Sequence, residues 1–89
     1  MKTAKKPPAR TRALMISSLA AKLLGHSRVA GIAISAERLS LAFPAFNAYE
    51  LASAVEELVE KQLLIQKGFD SRASYSLTDY GREGRVGVA

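Results

Sequence analysis

The sequence predicts an α+β domain of three helices, one short strand and a C-terminal β-hairpin. Three observations predict it. Apolar residues recur at helical spacing in three separate stretches. A joint that opens on Pro44 separates the second stretch from the third. After Gln62 the apolar period shortens from that of a helix to that of a strand.

Arg12 to Leu24 carries Ile16, Leu19, Ala20, Leu23 and Leu24 at the spacing of a helix with one buried face, and Gly25 supplies a stop. His26-Ser27-Arg28 reads as a connection, with His26 exposed in a loop. Val29 to Ile34 is rich in β-branched residues and predicts a short strand. Ser35 is a suitable N-cap for a second helix over Ala36 to Ala42, with Glu37 favoured in its first turn and Leu39, Ala42 and Phe43 on its apolar face. Pro44 ends that helix, because the residue before a proline is pushed out of the α region.

Asn47 then caps a third helix, and Glu50 three residues on completes the pattern of a capping box. Ala48, Leu51, Ala52, Val55, Leu58 and Val59 form its apolar stripe. Leu63 to Lys67 and the alternation resumed at Tyr75 and Leu77 flank a polar loop containing Gly68, Asp70 and Ser71, which is hairpin chemistry. In "YSLTDYG", Leu77 reads as the last core residue of the second hairpin strand and Thr78 as the N-cap of the turn that follows.

Composition narrows the function. The 89 residues suffice for one domain, and 48% hydrophobic with 24% charged is the balance of a globular chain. No run approaches the ~20 apolar residues that span a bilayer, so no membrane partner is expected. The absence of cysteine removes disulfides and thiolate metal sites and fits a reducing cytoplasm. His26 is the single histidine, so no histidine-cysteine constellation for metal or nucleophilic catalysis can form. Glu56, Glu57 and Glu60 read as a solvated helix face, and the glycines at 81, 84 and 87 do not sit between a strand and a helix as phosphate-binding loops do. No catalytic residue, metal site, cofactor or small-molecule effector is expected.

The net charge of +5 is local. Lys2, Lys5, Lys6, Arg10 and Arg12 supply it, and cations and acids balance from Ala13 onward. Residues 1–11 therefore read as a flexible basic arm, 12–82 as the domain and 83–89 as a short tail. The two glycines after Glu83 argue against a stable helix there.

Two helices joined by a short turn and followed directly by a hairpin make a winged helix-turn-helix. "AVEELVEKQLLIQK" resembles the helix end and first wing strand of winged-helix transcription regulators of the MarR-like and PadR-like kind. "YSLTDYG" is similar to their second wing strand, closed by Leu-Thr-x-x-Gly. The resemblance covers residues 12 to 82. It implies a small transcriptional regulator that binds double-stranded DNA sequence-specifically, with the third helix in the major groove and the wing and arm on the backbone. Relatives commonly dimerise through a long helix after Leu-Thr-x-x-Gly. A homodimer of this chain would instead use the first helix or the hairpin edge.

The outward positions at the start of the third helix are Asn47, Tyr49, Glu50 and Ser53. Tyr49 can reach a phosphate or thymine methyl, Ser53 several base edges, and Glu50 the cytosine amino group. Arg38, Lys67 and Arg72 are the cations placed to meet the backbone, with Lys5, Lys6, Arg10 and Arg12 in the arm. No Lys or Arg lies between Arg38 and Lys61, which is poor equipment for guanine. The formally neutral body and the acidic third helix favour the alternative of a winged-helix module that binds protein rather than DNA.

Overall fold

The computed structural model describes residues 13–69 and 72–89. It is a small α+β domain with four helices and five short strands among those residues. Strand β1 (Leu14–Ile16) leads into helix α1 (Ser18–Ala30). Strand β2 (Ile34–Ser35) leads directly into α2 (Ala36–Ala42), and a short joint leads to α3 (Ala48–Glu60). The hairpin strands β3 (Leu64–Lys67) and β4 (Ser74–Leu77) follow, then α4 (Asp79–Glu83) and β5 (Val86–Val88).

All four helix starts among the described residues share one device, a side-chain oxygen that accepts a first-turn amide, with Ser17 capping α1. Ser35 accepts the Arg38 amide, Asn47 forms a complete capping box with Glu50, and Thr78 accepts the amide of Gly81. Each cap satisfies a backbone donor that the helix itself cannot. The hairpin pairs antiparallel, with Leu64 opposite Leu77 and Lys67 opposite Ser74, and β2 adds to the other side of β4. Leu23 and Leu24 from α1, Leu51, Val55 and Leu58 from α3, and Leu64 and Tyr75 from the sheet meet in one core. Ala54 joins the buried face of α3, whereas Ala48 and Ala52 stay exposed.

The start of the chain differs from the expected first helix. The apolar spacing that begins at Ile16 is divided between a strand and a helix, because Ser17 caps α1 through its hydroxyl. Gly25 does not stop that helix. A single glycine inside a helix costs only about 1 kcal/mol, and continuing the helix buries Ser27. The stop is Gly31, at φ 69°, whose amide donates to the Ser27 carbonyl over 3.0 Å. Consequently the expected strand over Val29 to Ile34 shrinks to Ile34–Ser35, and Val29 and Ile32 are exposed. His26 is not in a loop: it is half-buried on α1, edge-on to Phe43 with ring centroids 5.6 Å apart.

The segment expected as a tail carries α4's end and β5, which pairs parallel to β1 with Leu14 opposite Val86 and Ile16 opposite Val88. This closure depends on the end of α3. Gln62 adopts φ 62°, its amide donates to Val59 and that of Leu63 to Leu58, which satisfies the last carbonyls of the helix. The Thr78 hydroxyl donates to the Gln62 carbonyl over 2.6 Å. Gly81 lies so close to the Leu63 backbone that a Cβ there would overlap its carbonyl. The Arg28 guanidinium then donates to the carbonyls of Gly81 and Gly84 at 2.8 and 2.7 Å, tying α1 to both ends of the turn.

Candidate nucleic-acid interface

The exposed start of α3 and the hairpin are the two surfaces on which the sequence places contacts. On α3 the polar groups are partly consumed. Asn47 Oδ1 accepts the Glu50 amide at 2.8 Å, and Glu50 Oε1 accepts the Asn47 amide at 2.9 Å. Glu50 therefore spends an oxygen on the cap that the sequence assigned to cytosine. Tyr49 is 80% exposed and Ser53 is exposed, so these two remain available on the outer face.

Arg38 is exposed on α2; its amide caps onto Ser35 Oγ and its guanidinium takes no partner among the described residues. Lys67 closes β3 and Arg72 follows the hairpin turn, both exposed. The Arg72 amide donates to the Phe69 carbonyl over 3.0 Å, which fixes its backbone and leaves its side chain unpaired among the described residues. Lys5, Lys6, Arg10 and Arg12 lie outside the described residues.

Between α2, α3 and the hairpin runs a groove of about 520 Å³, floored by Leu39, Leu51, Val55 and Tyr75 and edged by Glu56 and Gln66. Among the described residues, none of those expected to contact DNA (Arg38, Asn47, Tyr49, Glu50, Ser53, Lys67 and Arg72) lines it. Burial in its floor raises the Tyr75 hydroxyl above its ordinary pKa of 10.0.

Electrostatically the two surfaces differ. From Ala48 to Glu60 the only charged side chains are Glu50, Glu56, Glu57 and Glu60. Glu57 is held: its carboxylate accepts the Ser17 amide at 2.9 Å and pairs with Lys61 at 3.3 Å. Desolvation pushes its pKa up, but the hydrogen bonds from Ser17 and Lys61 outweigh it and leave the group below its ordinary value. A cation absent from the expected set is Lys22, whose ammonium lies 5.8 Å from the Phe46 ring centroid just ahead of the α3 cap. Its signal in sequence was only its place on the polar side of an amphipathic helix. Among the described residues no three histidine or acidic side chains converge as a metal site, and no helix is long and apolar enough to cross a membrane.

Comparison of the chain with protein-family models, with curated proteins and with solved structures finds no match.

Proposed function

We propose that this chain is a winged helix-turn-helix module, similar to the MarR-like and PadR-like regulators, that binds double-stranded DNA. The observation that carries the reading is the succession of α2, joint, α3 and hairpin around one groove, with Tyr49 and Ser53 free on α3 and Lys67 and Arg72 unpaired among the described residues on the hairpin. In this reading α3 enters the major groove, where its bare alanines 48 and 52 suit thymine methyls better than guanine. The hairpin cations and Arg38 meet phosphates, which positions the protein without specifying sequence. The five cations of residues 1–12 add affinity of the same kind.

Titration of the full chain with short duplexes across a salt series tests this. Binding should weaken steeply with salt, and deletion of residues 1–12 should flatten the plot of log affinity against log salt by ~2–4, given ~0.9 per neutralised phosphate. No duplex binding at low salt would refute the reading.

One observation favours a second reading, a protein-binding module: the outer face of α3 offers Glu56 and Glu60 and not one cation. A phosphate backbone repels that face, whereas a basic partner protein would not.

A further inference from the structure

The sequence contains six aromatic residues, three Tyr and three Phe. Tyr75 belongs to the core, and Phe43, Phe46 and Tyr80 pack against it. The remaining two, Tyr49 at 80% and Phe69 at 78% exposure, stand on α3 and in the hairpin turn. Exposed apolar side chains occurring singly are ordinary. Phe69 is set apart by how it is held. Gly68 takes φ 80°, a conformation open to glycine, and a Cβ there would meet the Arg72 carbonyl oxygen at 2.8 Å. The Gln66 side-chain amide donates to the Gly68 carbonyl at 2.9 Å, and the Arg72 amide to the Phe69 carbonyl at 3.0 Å. Gly68 and Phe69 are thus each bonded through their carbonyls, while the Phe69 side chain is outside the core cluster of the described residues. Lys67 and Arg72, exposed and unpaired among the described residues, flank it in sequence.

From this arrangement we infer that Phe69 inserts against the bases of bound duplex DNA, unstacking a step from the minor groove while Lys67 and Arg72 hold the flanking phosphates. An apolar wedge between cations matches the layout of a duplex edge, whose charge lies outside and whose apolar stack lies within. The inference rests on the DNA-binding reading, and a single variant separates the two.

The chain has no tryptophan, so Phe69→Trp creates the sole tryptophan at the turn. Mixed-sequence duplexes carrying a terminal dye report binding by anisotropy, while tryptophan emission reports the ring. Stacking should quench that emission as the duplex binds. Phe69→Ala should weaken binding about tenfold or more with the salt slope unchanged, because the ring neutralises no phosphate. Duplex binding with unquenched emission overturns the insertion, whatever the affinity of Phe69→Ala, and leaves the DNA reading standing. No duplex binding by the parent chain overturns both, and would leave Phe69 as a plug for an apolar pocket on a protein partner.

Discussion

The start of α3 and the hairpin turn are successive exposed surfaces, each with a solvent-facing aromatic and polar neighbours. They differ in where the polar groups are directed. On α3, Asn47 and Glu50 bond to one another's backbone amides. At the hairpin, the Arg72 amide donates to the Phe69 carbonyl and the Gln66 side-chain amide to that of Gly68, so Lys67 and Arg72 keep their charges for the outside. A helix N-terminus has orphan amides and recruits the nearest side-chain oxygens; a hairpin largely satisfies its own. Exposure alone therefore does not make a side chain available for recognition.

The largest expected effect concerns the inner face of α3, which must be rigid for its outer face to present anything. Leu58 is wholly buried, and Leu58→Ala should lower stability to urea by about 2–5 kcal/mol. A loss under ~0.5 kcal/mol, the range of surface substitutions, would mean that α3 does not pack by this face.

Next comes the cap. Asn47→Ala should cost about 1 kcal/mol of stability, and Asn47→Ser, which keeps a capping oxygen, should recover most of it. Should Asn47→Ala instead keep full stability and lose duplex affinity, Asn47 is a base reader and the contrast with the hairpin disappears. Arg72→Ala should show the opposite behaviour. Its stability should stay within ~0.5 kcal/mol of the parent, while duplex binding weakens and the salt slope falls by ~0.9. Equal affinities at moderate salt would remove the hairpin cation from the binding surface.

Local signals made the middle of the chain legible. Ser35, Pro44 and the Asn47–Glu50 spacing act within one turn, and the change of period after Gln62 needs no distant partner, so α2, α3 and the hairpin stand where sequence placed them. The ends were not legible for a physical reason. Val86-Gly87-Val88 is weakly marked as a strand, and what makes it one is pairing with Leu14–Ile16 at the other end of the chain. Likewise Gly25 looks like a stop because glycine often is one, but the left-handed residue is Gly31. The Arg28 bonds to Gly81 and Gly84 reward a longer α1, and they appear only once α4 has folded beneath it. For the candidate interface, the exposure of Tyr49, Ser53, Lys67 and Arg72 was legible, and the consumption of Glu50 by its cap was implicit in the capping box that placed the helix.

The smallest effect tests whether the acids of α3 are equivalent. Glu56 is exposed and takes no partner among the described residues, whereas Glu57 ties α3 to the β1–α1 junction through the Ser17 amide and to Lys61. The folded-state pKa of Glu57 lies below the ordinary value of about 4.5 despite the desolvation that opposes ionisation. Its ionised form is therefore favoured by folding. That contribution is complete above the unfolded value and is lost as pH falls through the lower folded value, because the unfolded chain binds the proton first. Glu57→Gln should accordingly be less stable than the parent near neutrality, with the gap closing as the medium is taken below pH 4.5. Glu56→Gln should stay within ~0.5 kcal/mol of the parent near neutrality. Urea midpoints for the three proteins across that range decide the matter. A Glu57→Gln gap that persisted undiminished into acid would show that the side chain acts by packing rather than by charge.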